Sequence, residues 1–367
     1  MRRSLLSCFF LAALISLALD GTSLAANDQQ MAAMVERGMT FLESAQAEDG
    51  SFSSNTGTGV TSLVATALVR SGRTPSDPSV AKSLSFLEQR VHDDGGIYQE
   101  GSTHRNYETC LAITCFAEAN RDGKYDKLLQ RAEAFLKKLQ WDGEEGYDRS
   151  STSYGGAGYG SHSRPDLSNT SFFIDALKSL GRDAEDPAIQ RALVFVSRCQ
   201  NLKTEHNETE FAAKNPDGGF YYSIAAGGSS QAGETPEGGL RSYGSMTYAG
   251  LKSMIYAGVG PDDPRVKAAR KWIAKHYSLQ ENPQMGDNGL YYYYHTFAKA
   301  LQAVGDDQLV DSQGAAHNWR DELVAQLASL QQANGSWVNG NERWLEGDPN
   351  LVTGYALLTL SYVRDTN

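Results

Sequence analysis

The chain has 367 residues, with 44 acidic against 33 basic side chains and a formal net charge of −11. That balance argues against nucleic acid or an anionic membrane surface as the main partner. Four cysteines supply no evident disulfide framework, so an apolar core must hold the fold.

Met1 to Ala26 reads as a secretory signal peptide. Arg2 and Arg3 form a positive start, Leu5 to Leu19 an apolar run, and Ser23-Leu24-Ala25 a small-residue cleavage region. Its loss leaves residues 27–367, more acidic by one charge, as a single exported domain with no later segment able to span a bilayer.

From there the chain alternates two kinds of helix. The first kind is amphipathic and is centred in turn on Phe41, Phe86, Phe135, Phe195, Trp272 and Leu327. Basic residues precede most of these anchors: Arg37, Lys82, Arg131, Arg191 and Lys267. Glycine turns follow, at Asp49-Gly50, Asp94-Gly95, Glu145-Gly146, Asp217-Gly218, Asn288-Gly289 and Asn334-Gly335. The second kind is apolar and rich in small residues: Val60 to Leu68, Glu108 to Phe116, Asn169 to Leu177, Met246 to Met254, Tyr293 to Leu301 and Val352 to Leu360. Several of these stop at glycine, at Gly72, Gly181, Gly258 and Gly305.

Helices apolar around much of their circumference are buried, and amphipathic ones cover them. Six such pairs with no polar capping unit at either end predict closure into an all-α toroid, an (α/α)6 barrel with an outer and an inner ring.

The string Arg37-Gly38-x-x-Phe41-Leu42-x-x-x-Gln46-x-x-x-Gly50-x-Phe52 resembles the QW motif of squalene and oxidosqualene cyclases. Related repeats occur in protein prenyltransferase β-subunits. The resemblance covers nearly the whole chain after Ala26 and implies a toroid with a largely apolar central cavity open at one end. The cyclase acid motif, Asp-x-Asp-Asp-Thr, matches Asp166-Leu167-Ser168-Asn169-Thr170 here. Ser168 stands where the acid is expected, and a hydroxyl cannot protonate an alkene. Tyr294-His295-Thr296 resembles the segment that supplies the prenyltransferase zinc histidine, but the helix before it brings no Asp or Cys. One imidazole does not make a zinc site, so neither metal nor cofactor is expected.

The turns gather all six inner-helix N-termini at one end, which suits polar or anionic groups. Two long loops, Gly146 to Asp166 and Asn201 to Arg241, begin or end beside that mouth. His104, Tyr107, Glu108, His162, Arg241, Tyr243, Tyr292 and Tyr294 are the candidate ligand-binding residues, with Asp166 and His295 the candidate catalytic ones. Each also has a structural reading: Asp166 as a helix cap, Glu108 at its own helix N-terminus, the tyrosines as core.

The expected function is an exported terpenoid-cyclase-like protein that binds an apolar, isoprenoid-like ligand or serves as an interaction scaffold for a partner the sequence does not name. A cyclase or isomerase using another acid is one alternative. A carbohydrate-active toroid is the other, with Asp166 and Glu108 as its carboxyl pair.

Overall fold

Four of the six outer helices are tied to the next by a glutamine just past their end, the second and fifth repeats having Val91 and Tyr277 there instead. In the computed structural model, which describes residues 29–160 and 164–364, Gln46 Nε2 donates to Gly50 O and to Ser79 O at the start of the next outer helix (3.0 and 2.8 Å). Gln140 bridges Gly155 O and Ala188 O in the same way, and Gln200 bridges Gly218 O and Arg265 O. Gln331, the last of them, reaches Gly335 O and Met34 O, both at 2.9 Å, and so joins the end of the chain to its beginning. The signal peptide read at Met1 to Ala26 and the candidate His162 lie outside the described residues.

Twelve helices make up the ring among the described residues. The outer set is α1 (29–45), α3 (Pro78–Glu88), α5 (Asp126–Lys138), α7 (Pro187–Arg198), α9 (Pro264–Lys275) and α11 (Trp319–Leu330). The inner set is α2 (Gly59–Arg70), α4 (Arg105–Ala119), α6 (Leu167–Ser179), α8 (Gly244–Tyr256), α10 (Leu290–Val304) and α12 (Pro349–Arg364). Each inner helix packs on the next, and α12 packs on α2, closing the toroid. A one-turn helix, Glu210–Lys214, and a small antiparallel hairpin, β1 (Leu309–Val310) with β2 (Ala316–His317), decorate the ring.

Local chemistry sets the helix ends. Three outer helices open on Asp-Pro, and Asp186 and Asp263 accept the N–H two residues on at 2.8 Å. Proline loses nothing at that position, since its missing N–H would be unpaired anyway. The inner helices end as expected: the N–H groups of Arg73, Arg182 and Val259 reach back to Leu68, Leu177 and Met254, one residue past each glycine.

The turn glycines are required by packing. A Cβ on Gly50 would lie 2.4 Å from Lys82 O, on Gly95 2.6 Å from Arg131 O, and on Gly335 2.5 Å from Arg37 O. Four of the basic residues seen before the anchors are therefore the places where the preceding turn beds its glycine. In the fourth turn Gly218 meets Ala268, not Lys267. The repeat threonines complete the unit. Thr61, Thr109, Thr170, Thr247 and Thr353 accept the N–H of Phe52, Ile97, Ala157, Phe220 and Trp337 at 2.9–3.1 Å.

These bonds correct two turns. The third turn is Gly155-Gly156-Ala157, not Glu145-Gly146. Gly155 meets Arg191 O, and Gln140 binds its carbonyl, whereas a Cβ at Gly146 would meet nothing. An insertion after Gln140 had placed a turn-like Glu-Gly pair ahead of the true one. In the fifth repeat Gly289 is the left-handed N-cap of α10 and touches Trp344, with no outer-helix carbonyl against it.

No helix among the described residues is long and apolar enough to cross a membrane. Cys110, Cys115 and Cys199 are buried free thiols.

Candidate functional site: an aromatic cavity at the toroid mouth

The repeat threonine also sets the cavity. The residues two before it on the six inner helices are Gly59, Tyr107, Ser168, Ser245, Tyr292 and Leu351, counting Tyr294 as the threonine's stand-in on α10. All six line a cavity of about 330 Å³ at the N-terminal end of the inner ring. One helical turn deeper, Phe172 and Tyr355 form part of its floor. The two long loops supply wall: Tyr159 from one, Tyr222 and Gln231 from the other. They are fastened to the inner helices, with Asn106 N–H donating to Tyr159 O (3.1 Å) and Leu167 N–H to Tyr222 O (2.8 Å).

Trp344 and Leu345 rim the opening, 45 % and 49 % exposed, and both hold positive φ (56° and 66°). Left-handed backbone is unfavourable for such bulky side chains and marks a constrained segment. Arg343 stacks over Trp344 at 4.3 Å and donates to Gln231 Oε1 at 2.8 Å, linking the rim to the long loop opposite.

Tyrosine hydroxyls inside the cavity meet one another. Ser168 Oγ lies 2.9 Å from Tyr292 Oη, and the Tyr107 hydroxyl lies near that of Tyr355. Burial pushes Tyr107 up to about 12 and raises Tyr292 and Tyr355, so all three stay neutral phenols.

The carboxyl groups at the mouth are held by amides. Glu108 Oε2 accepts from Thr58 N, Thr58 Oγ1 and Gln99 N (2.8, 2.8 and 3.0 Å), and Ser102 Oγ donates to its other oxygen. Its carboxylate thus ties the loops before α2 and α4 together. Glu346 does the same for α10, accepting from Tyr292 N (2.8 Å), Tyr291 N (3.2 Å) and Asn339 Nδ2 (2.7 Å). Burial raises its pKa against those bonds. Asp166 caps α6, taking Asn169 N and Nδ2, both at 2.8 Å. Burial lifts Asp166 to about 6, opposed by the Asn169 bonds and by Tyr222 and Arg164 nearby. It sits behind Asn169 and Tyr222, which line the cavity in its place.

Of the residues expected from sequence, His104, Tyr107, Glu108, Tyr243 and Tyr292 line the cavity. Arg241 is exposed and donates to Glu234 O. Tyr294 points to the outer layer, its hydroxyl donating to Leu279 O at 2.6 Å. His295 lies deeper, its ring 5.5 Å from Tyr355 and 5.6 Å from Tyr362. Burial and then the nearby Lys299 and Lys252 hold it well below the ordinary histidine range, so it is neutral.

Sequence reasoning missed Tyr159, Tyr222, Phe172, Tyr355, Trp344 and Glu346. The signal for the floor pair was available: Phe172 and Tyr355 stand two residues after Thr170 and Thr353. The loop and rim residues carry no such periodic mark.

The pattern of the squalene-hopene cyclase C-terminal domain matches residues 55–225. No curated protein matches the chain in sequence. Among solved structures, a variant of the type II terpene cyclase MstE from Scytonema without ligand is similar at a TM-score of 0.53. It is 16% identical, covering 93% of this chain and 98% of that one. A second MstE variant, in complex with its substrate geranylgeranyl dihydroxybenzoate, is similar at 0.52, with 16% identity over 92% and 98% of the two chains. A glycosidase variant is similar at 0.54, with 12% identity over 91% and 97%. At such identities the likeness is one of fold. The matched segment is similar to the squalene-hopene cyclase C-terminal domain, and the toroid is shared with terpene-cyclase and glycosidase structures alike.

Proposed function

We infer that this chain is an exported toroid that binds an apolar, isoprenoid-like ligand in the mouth cavity. The carrying observation is the lining itself: six tyrosines, Phe172, Trp344, Met246, Leu345 and Leu351, with the position expected for a cyclase acid occupied by Ser168. Aromatic faces and aliphatic side chains suit a branched, unsaturated chain, and concave apolar pockets are where such ligands bind. The ligand of the MstE neighbour carries a geranylgeranyl group, which is in keeping with this reading.

The carbohydrate reading is weaker. Of its two carboxyl groups, Glu108 is tied down by Thr58, Gln99 and Ser102, and Asp166 sits behind Asn169 and Tyr222 and is not on the cavity lining. One observation keeps a catalytic reading in view: Asp166, lifted to about 6, lies next to Tyr222 on the cavity wall. If it acts as an acid, Asp166→Asn abolishes turnover of a polyprene substrate while leaving binding intact.

Binding is tested with farnesol, followed by quenching of the protein's aromatic fluorescence. The expected result is saturable binding that Leu351→Trp, which fills the cavity, weakens by tenfold or more without lowering the melting temperature. Unsaturable binding, or binding indifferent to Leu351→Trp, contradicts the reading.

A further inference from the structure

The hydroxyl pair Ser168–Tyr292 stands at the place where a cyclase-like site would hold its acid, and proton counting shows what it can do there. The two oxygens are 2.9 Å apart, on the first turns of α6 and α10, across the cavity from one another's backbones. Each hydroxyl carries one proton. Only one proton can lie between the two oxygens, whichever is the donor. The second is left over.

Around that second proton the cavity wall is Phe172, Tyr355 and Met246, with the Phe172 ring 6.0 Å and the Tyr355 ring 6.1 Å from that of Tyr292. These rings and the thioether are weak acceptors at best. The other polar groups on that wall do not take it: Asn169 Oδ1 is a buried acceptor that neither hydroxyl reaches. Ser245 Oγ accepts from Asn282 Nδ2, and Asp166 binds Asn169. In an open cavity, water takes the spare proton. A pure hydrocarbon that displaced the water would strand it, and a stranded buried donor costs more than an ordinary hydrogen bond gains. A ligand oxygen at that point would accept it.

We propose that Ser168 and Tyr292 form the polar anchor of the cavity, selecting an isoprenoid-like ligand that carries a hydroxyl or carbonyl oxygen over the corresponding hydrocarbon. The proposal rests on the cavity being a ligand site, as inferred above, and adds the chemical class of its ligand. It also assigns a role to the Ser168 departure. The group that cannot donate a proton to an alkene is suited to donate a hydrogen bond to an oxygen.

The pair makes an unusual prediction for mutagenesis. In Ser168→Ala the tyrosine proton is freed for the ligand, and in Tyr292→Phe the serine proton is. Each single variant therefore keeps one donor, and only S168A/Y292F removes both. The test compares farnesol, farnesal and β-farnesene by the same fluorescence titration, with circular dichroism melting to confirm that each variant is folded. The wild-type chain is expected to bind farnesol and farnesal at least tenfold more tightly than β-farnesene. Each single variant should keep most of that preference, and the double variant should bind all three alike.

Equal binding of alcohol, aldehyde and hydrocarbon by the wild-type chain would overturn the anchor while leaving the cavity a ligand site. So would a preference that survives in the folded double variant, since the oxygen would then be held elsewhere. Saturable binding of none of the three removes the ligand-site reading, and the anchor with it.

Discussion

The same three inner helices build two unlike regions, one above the other. At the mouth, Ser168, Ser245 and Tyr292 of α6, α8 and α10 face an open aromatic cavity. Seven residues further along each helix stand Asp175, Lys252 and Lys299, on the same faces two turns deeper, or roughly 10 Å. There the ring is filled. Asp175 Oδ2 receives both Lys252 Nζ (2.6 Å) and Lys299 Nζ (2.8 Å), and all three side chains are buried or nearly so. The upper layer spends its polarity on neutral hydroxyls, which leaves room for an apolar guest. The lower layer locks three helices by charge and closes the floor. A toroid of this kind can be hollow at one end because it is pinned at the other.

The largest test of that contrast is Asp175→Asn. Burial alone would raise Asp175, but the two ammonium groups hold its pKa below the usual range. Removing the carboxylate leaves two buried cations without a counter-charge, which should cost about 3–5 kcal/mol in chemical denaturation. Replacing all three together by D175L/K252M/K299M should recover most of that loss. If Asp175→Asn is as stable as the wild type, the lower layer is not the pin.

Next in size is a pH effect at the mouth. Asp166 is raised in the folded chain to about 6, so its contribution is fully present below its unfolded value near 4 and is lost as pH rises through about 6. Wild-type stability should fall across that window by on the order of 2–3 kcal/mol through this group alone. Asp166→Asn, which can still cap α6, should flatten the slope. Denaturant titrations at intervals from pH 4 to pH 7 would read it.

A smaller effect separates the turns that frame the mouth. Gly155→Ala forces a Cβ against the Arg191 carbonyl as well as a left-handed backbone, and should cost about 1–3 kcal/mol. Gly146→Ala meets the backbone term only and should cost about 1 kcal/mol. Equal losses in thermal melts would mean that the third turn is not bedded as described. Last, Tyr292→Phe removes a single hydrogen bond, the one to Ser168, and should cost no more than about 1 kcal/mol. A larger loss would make Tyr292 part of the frame.

Much of this architecture is legible in the sequence because the repeat is a packing unit. The glutamine in four repeats and the threonine in five each make the same bond. The turn glycine makes the same close approach to the next outer helix, so the six-pair toroid follows from them. The cavity ring and the charged layer follow a register, two before the threonine and seven beyond that. Only Tyr107 and Tyr292 of the first are among the sequence candidates, and none of the second is, since it is charged in three helices alone. The turn after Gln140 misled because Glu145-Gly146 imitates the local signal, while the bonds that define the true turn come from Arg191 and Thr170, far along the chain. Tyr294 and His295 sit beside Tyr292 in sequence, but 100° per residue carries Tyr294 to the outer layer and His295 toward the floor. Trp344 and Glu346 reach the mouth from a loop with no period, so only the folded chain reveals them.

The central claim is that the mouth is hollow in order to hold an isoprenoid-like guest. Native mass spectrometry of the protein purified from its own producing cells, followed by solvent extraction, tests it most directly. The account predicts a bound species that extraction releases and whose fragments are isoprenoid and contain oxygen. A protein that carries no such species, and that also fails to bind farnesol saturably, would contradict it.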